Sequence, residues 1–350
     1  MTTTAKLLSL ATTVPPHVLP QNEVAKAAHA VFGHRLPEFE RLARVFESAG
    51  IEKRYGVRPM DWYLEQRGWP ERTAVYTEGA IDLFVEAADA ALKSAGLSGV
   101  DIDAIVTVSS TGISTPSLEA RASGALGFRP DVMRVPVFGL GCAGGVTGLA
   151  IASRLALSLP GKTVLLVVVE VCTLAFRLDK LTKANLVATA LFGDGAAACV
   201  LKAGDEGFAE ITGASEYTWP DTLDIMGWHV DAQGFGVIFD RAIPPFAEEN
   251  LGTALAAILD TAGVERQEID RILCHPGGAK VVASIEHALA MTEGTLDHER
   301  TVLREFGNMS APTALFVLAR AVETGLPQRS ALLALGPGFT ASCVFLAKAA

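Results

Sequence analysis

The chain has 350 residues, half of them hydrophobic and 19% charged, with a net charge of −10, a pI near 5.2 and a mean hydropathy of +0.33. That length supports one large domain or two coupled ones with a well-buried core, and the acidic balance argues against general nucleic-acid binding. The five cysteines, at 142, 172, 199, 274 and 343, show no CxxC or metal-finger spacing, and their odd number, with no signal-type apolar run at the start, leads us to expect a reducing cytoplasm.

In chain order, residues 6–12 read as a strand closed by Pro15-Pro16, and residues 22–32 and 37–48 as helices. A longer helix is expected over 77–95, with Ile81, Phe84, Val85 and Ala88 on one face and Gly96 as its C-cap. Residues 135–138 read as a strand end, and Gly139-Leu140-Gly141-Cys142-Ala143-Gly144-Gly145 leads into a helix over 146–157. This puts Cys142 at a helix N-terminus, where backbone N–H groups and the dipole favour a thiolate. Taken alone, a small buried cysteine is an equally good reading. The most apolar stretch, 163–169, stops at Glu170 and reads as a buried strand, too short to span a bilayer.

The sequence repeats itself. Leu92-Lys-Ser-Ala-Gly-Leu leads to Ile102-Asp103-Ala104-Ile105-Val106, and Leu259-Asp-Thr-Ala-Gly-Val leads to Ile269-Asp270-Arg271-Ile272-Leu273, a constant step of 167 residues. The same step carries Leu159-Pro160 onto Leu326-Pro327 and Leu165-Leu166 onto Leu332-Leu333. Two homologous halves of alternating helix and strand are expected. The step takes Cys142 to Met309, beside Asn308, and Val108 to His275. Turns of the two halves can therefore converge on one site.

His275 lies in Leu273-Cys274-His275-Pro276-Gly277-Gly278, straight after an apolar strand, where sites in α/β sheets commonly sit. Asn308, in Phe306-Gly307-Asn308-Met309-Ser310, precedes a helix over 311–322, and alone reads as an N-cap. Together, cysteine, histidine and asparagine at three strand-to-helix turns supply a nucleophile, a partner that lowers its pKa, and two donors for an oxyanion. No ligand motif accompanies any of the three, so no metal is expected.

Five motifs in order carry a resemblance: Gly141-Cys142-Ala143-Gly144-Gly145, Ala190-Leu191-Phe192-Gly193-Asp194-Gly195-Ala196-Ala197, His275-Pro276-Gly277-Gly278, Gly307-Asn308-Met309-Ser310 and Gly336-Pro337-Gly338. Over nearly its whole length the chain resembles the type III polyketide synthases, the chalcone-synthase-like enzymes of the thiolase superfamily. The resemblance implies a thiolase-like layered α-β-α-β-α sandwich of two duplicated halves, here 1–205 with the cysteine and 206–350 with the histidine and asparagine. It implies a homodimer in the cytoplasm, with no transmembrane segment and no nucleic acid, acting on acyl-CoA and malonyl-CoA as substrates and needing no cofactor.

Carried over by position, the resemblance makes Cys142 the acyl-accepting nucleophile, with His275 and Asn308 holding the malonyl thioester oxygen. Phe192 matches the gatekeeper between CoA tunnel and cavity, and Ser310 and Gly338 fall among the pocket positions. Arg41 and Arg44 match CoA-phosphate positions in the segment that runs on to Ile51-Glu-Lys53-Arg54-Tyr55, while Ser48 replaces a usual lysine. Without the family, these arginines are an ordinary charged helix face.

The second gatekeeper falls near Val237, Ala175 replaces a larger threonine, and Trp228 stands near a small glycine. The segment Gly112-Ile113-Ser114-Thr115-Pro116 and the triplet Met226-Gly227-Trp228 look like bacterial alkylpyrone and alkylresorcinol synthases. Small Ala175 and Thr115 are then expected to open a tunnel for a medium- or long-chain fatty acyl starter, which Trp228 would limit. The enzymatic alternative is a ketoacyl synthase III-like enzyme performing one condensation. The alternative of another class is a non-catalytic polyketide-binding homologue.

Overall fold

The computed structural model describes residues 4–36, 38–180 and 182–349. From the N-terminus run β1 (Ala5–Thr13), β2 (His17–Pro20), α1 (Gln21–Phe32), α2 (Phe39–Ser48), β3 (Lys53–Gly56), α3 (Met60–Tyr63), α4 (Trp69–Ser94), β4 (Ala104–Val108), α5 (Leu118–Leu126), β5 (Met133–Val137), α6 (Gly144–Ser158), β6 (Thr163–Val171), α7 (Lys183–Leu191) and β7 (Asp194–Ala203). There follow β8 (Ala209–Thr218), β9 (Met226–Asp231), β10 (Gly234–Phe239), α8 (Ile243–Ala262), β11 (Arg271–Cys274), α9 (Ala279–Ala288), α10 (Asp297–Phe306), α11 (Thr313–Gly325), β12 (Arg329–Gly336) and β13 (Thr340–Lys348).

Nine strands share one sheet in the order β11-β12-β13-β8-β1-β7-β6-β4-β5. The run β4-β6-β7-β1 is matched by β11-β12-β13-β8. In each run the first pair is parallel and the rest antiparallel. The two half-sheets meet at β1 and β8 over a short antiparallel seam, Ala5 to Leu7 against Ile211 to Ala209. The 167-residue step is therefore an internal duplication of topology, and both α6 and α11 end at their Leu-Pro pairs, with Leu159 and Leu326 as C-caps.

Alternate side chains along each strand sort into three cores. Val106 and Val108 of β4, Leu149 of α6, Leu315 and Leu318 of α11 and Leu332 of β12 share the central one. The opposite face of the first half-sheet packs on α4 through Ile105, Leu165, Leu83 and Phe84. The opposite face of the second packs on α8 and α9 through Leu333, Phe345, Leu251 and Val282. Helix, sheet, helix, sheet, helix is the expected five-layer order. The two central helices approach closely at their N-termini. A Cβ on Gly145 would lie 2.2 Å from the carbonyl oxygen of Ala311.

The helix expected over 77–95 starts eight residues earlier, at Trp69, with Pro70 in its first turn, where a missing N–H costs nothing. It ends as expected. Gly96 takes φ +67, its N–H bonds Lys93 O, and Leu97 N–H reaches back to Leu92 O, the paired closure of a left-handed C-cap. The expected helix over 37–48 is α2, and Pro37 lies outside the described residues. Glu170 does not stop β6. It sits inside the strand, fully buried, because donors from another loop satisfy its carboxyl group. Among the described residues no helix is long and apolar enough to cross a membrane.

Candidate active site

After β5 the chain closes a tight turn, Gly141–Ala143, that runs directly into α6, so Cys142 stands at the N-terminal end of a central helix. Two supports hold the turn. Ser110 Oγ accepts from the N–H groups of Gly139 at 3.1 Å and Gly141 at 3.2 Å. From the other half, Gly336 lies so close that a Cβ there would fall 2.6 Å from Ala143 Cβ. Ser110 is fixed in turn by Glu170, whose carboxyl accepts from Ser110 N–H at 2.9 Å, Thr111 N–H at 2.9 Å and the Thr111 hydroxyl at 2.6 Å.

His275 follows β11, its N–H bonded to Leu333 O at 2.8 Å. It is buried, and neither ring nitrogen has a hydrogen-bond partner among the described residues. Asn308 is pinned by its backbone, which bonds Leu191 O and receives Gly193 N–H, forming a parallel bridge with Phe192. Its Oδ1 accepts from Ser310 N–H at 2.8 Å, and its Nδ2 donates to Gly277 O at 3.1 Å. One of the two amide hydrogens is thereby used and one remains. Ser310 and Cys142 line the same cavity, and Gly277 N–H bonds His275 O at 3.1 Å. Hydrogen bonds therefore run from Ser310 through the Asn308 side chain to Gly277 and the His275 backbone. Ser310 holds this path with a backbone φ of +59°, a conformation that costs a non-glycine residue about 1–3 kcal/mol.

Electrostatics departs from the simple helix-terminus expectation. Burial pushes the Cys142 thiol up to about 11, and the nearby Glu170 carboxyl adds to the rise against the Ser310 hydrogen bond. Burial also pushes the His275 imidazole down to about 3. Desolvation outweighs the helix dipole here and favours a neutral thiol and a neutral imidazole. Glu170 itself is pushed up to about 7 by burial, opposed by its hydrogen bonds.

Cys142 opens on a cavity between its own turn and the β9–β10 hairpin. Four expected pocket residues line it, Phe192, Trp228, Val237 and Ser310. Trp228 and Val237 face each other across the β9–β10 hairpin, and the Phe192 ring lies 6.3 Å from Trp228 and 6.5 Å from Phe239. Gly338 is not in the lining. Its neighbour Pro337 is, while Gly338 O accepts from the Thr222 hydroxyl at 3.0 Å.

Two further expectations fail for this cavity. Ala175 lines a separate hollow with Tyr76 and Phe235, because the turn after β6 carries it past the cavity. Thr115 is exposed, on a loop with a cis bond to Pro116. Arg41 and Arg44 are exposed on α2, and Arg41 pairs with Glu38. The apolar face of α2 packs with α7 through Phe39, Phe46, Leu186 and Ala190, so the arginines flank the helix that leads to Phe192. Sequence reasoning missed Cys172 and Phe239 as lining residues and Glu170 and Ser110 as supports. Only the unusual Glu170 within an apolar run signalled any of these.

The family described as chalcone and stilbene synthases, N-terminal domain, matches residues 1–205, and the corresponding C-terminal domain matches residues 210–349. A 1,3,6,8-tetrahydroxynaphthalene synthase of Streptomyces peucetius subsp. caesius is 37% identical over 343 residues, covering 96% of this chain and 91% of the relative. A putative chalcone synthase of Bacillus subtilis (strain 168) is 34% identical over 352 residues, covering 96% of both. The crystal structure of 1,3,6,8-tetrahydroxynaphthalene synthase from Streptomyces coelicolor A3(2), a bacterial type III polyketide synthase, superposes with a TM-score of 0.93 at 28% identity, over 99% of each chain.

Proposed function

The chain belongs to the chalcone and stilbene synthase family, the type III polyketide synthases, and from that premise we propose that Cys142, His275 and Asn308 perform its chemistry. It is a decarboxylative condensing acyltransferase. The observation that carries the assignment is the meeting of three turns, with Cys142 at the start of α6, Ser310 beside it in the same cavity lining, and the Asn308 side chain bonded to Ser310 N–H and to Gly277 O, two residues beyond His275. In the loading step His275 takes the thiol proton as Cys142 sulfur attacks the acyl-CoA carbonyl, and the departing CoA sulfur receives that proton. Malonyl-CoA then places its thioester oxygen between the His275 ring and the free Asn308 amide hydrogen. Its carboxylate leaves as CO₂, and the electron pair of the broken bond becomes an enolate held by those donors. The enolate carbon attacks the acyl-Cys142 carbonyl, a carbon–carbon bond forms, and Cys142 sulfur departs.

Arg41 and Arg44 offer two cations for the CoA phosphates at the approach to Phe192. We divide the chain into halves 1–205 and 206–350, in the short connection between β7 and β8. The partner is a second copy of the chain. β5 ends the sheet with one edge unpaired, and beside it Ile113, Met133 and Phe138 are exposed apolar side chains of the kind that interfaces cover.

The starter is a medium- or long-chain fatty acyl-CoA and the product an alkylpyrone or alkylresorcinol, a reading supported by the aromatic and aliphatic lining of the Cys142 cavity, Phe192, Met226, Trp228, Ile238 and Phe239. The 37% identity to a tetrahydroxynaphthalene synthase favours a second reading, a naphthalene product. Mass spectrometry of products from decanoyl-CoA and malonyl-CoA separates the two. A cyclised triketide or tetraketide carrying the decanoyl chain is expected. A product from malonyl-CoA that ignores decanoyl-CoA would overturn the starter assignment.

A further inference from the structure

A second cavity lies behind Phe192 between α1, α3 and α7. Its walls are largely apolar, with Leu19, Val24, Ala28, Met60 and Phe176, and it shares Cys172 and Phe192 with the Cys142 cavity. Arg54 breaks that pattern. It lines the cavity, is 1% exposed, and neither Nη1 nor Nη2 has a hydrogen-bond partner among the described residues.

The Asp194 carboxyl attracts the guanidinium but is occupied otherwise, accepting from Val57 N–H, Thr173 N–H and the Thr173 hydroxyl. The Arg54 stem is held at its base. Cβ atoms built on Gly193 and Gly307 would lie 3.1 and 3.3 Å from its own Cβ, so the two turns carrying Phe192 and Asn308 clasp it. A guanidinium removed from water without acceptors is strongly destabilising, and a fork of unused donors at the wall of an apolar cavity matches a carboxylate.

We propose that this cavity is a second ligand site, which takes a medium-chain carboxylate with its head on Arg54 and its alkyl chain along the walls from α1 and α7. The proposal rests on the cavity and Arg54, not on the role given to Cys142. Two sources share this chemistry. A free fatty acid can enter beside Leu64, a lining residue that is 40% exposed. Alternatively, the far carboxylate of a dicarboxylic starter on Cys142 can reach past Phe192.

Calorimetric titration of the whole protein with decanoate and with decanol tests it. Decanoate is expected to bind about tenfold or more tighter than decanol, and Arg54→Met is expected to abolish that preference. Ala27→Trp, a half-buried cavity position on α1, is expected to lose decanoate binding while keeping its circular dichroism spectrum. Equal binding of acid and alcohol, binding of neither, or a preference that survives Arg54→Met would overturn the proposal and leave Arg54 solvated by water alone. If Arg54→Met fails to fold, unchanged decanoate affinity in folded Ala27→Trp overturns it equally. The source is read by loading Cys142 with a decanedioyl group, verified by intact mass. Decanoate that still binds identifies the free acid, and decanoate that is excluded identifies the tethered carboxylate.

Discussion

The Cys142 thiol sits where a helix dipole lowers pKa values, yet burial pushes it up to about 11 and pushes His275 down to about 3. In the proposed chemistry reactivity then depends on proton transfer to His275 during attack rather than on a standing thiolate. The rate of Cys142 alkylation by iodoacetamide is expected to keep rising through pH 9. A plateau below pH 7 would instead reveal a preformed thiolate–imidazolium pair.

Glu170 gives a second prediction at this scale. Its folded pKa of about 7 lies above the ordinary 4.5, so the folded state binds more protons than the unfolded one between those values. Its contribution to stability therefore falls as pH rises through that window. Glu170→Gln does not titrate, and relative to the parent it should gain up to about 3 kcal/mol between pH 4 and pH 8. Urea unfolding of both proteins at the two pH values measures this, and an unchanged difference would refute the shift. In the sequence Glu170 reads as the end of an apolar run. What keeps it inside β6 is a set of donors at Ser110 and Thr111, sixty residues away, which no local pattern reveals.

Elements bounded by their own punctuation were legible. Gly96 closes α4 because only the local left-handed turn is needed, and Gly139 to Gly145 mark the turn at Cys142 for the same reason. Pro70 marks the start of α4 at Trp69, whereas the apolar stripe that predicts the helix begins later in the chain. The pocket positions were less legible. Ala175 and Thr115 lie outside the Cys142 cavity because the directions of the turn after β6 and of the loop before α5 are set by packing.

Packing also gives Gly145 its meaning. In most helices glycine-to-alanine replacement gains about 0.5–1 kcal/mol. Here the added methyl would meet Ala311 O at 2.2 Å, and the shift needed costs about 1–3 kcal/mol. Gly145→Ala should therefore unfold at lower urea concentration than the parent, and equal or greater stability would show that α6 and α11 can separate freely.

At the scale of the molecule, the duplicated topology explains why the site is where it is. β4 and β11 occupy equivalent places in the two half-sheets, α6 and α11 cross between them, and the turns at their ends carry Cys142, His275 and Asn308. A repeat with a fixed step predicts this from sequence because it constrains pairs of positions whatever the loops do. Arg54 escaped the same reasoning. In the sequence it is one more cation of a basic segment, and only the three-dimensional clasp of Gly193 and Gly307 puts it inside.

The account stands most directly on Cys142 as the acylated residue. Intact-mass and peptide mass spectrometry after brief exposure to decanoyl-CoA should show one decanoyl group on the Cys142 peptide of the parent protein and none on Cys142→Ala. A decanoyl group on another cysteine, or full product formation by Cys142→Ala, would contradict it.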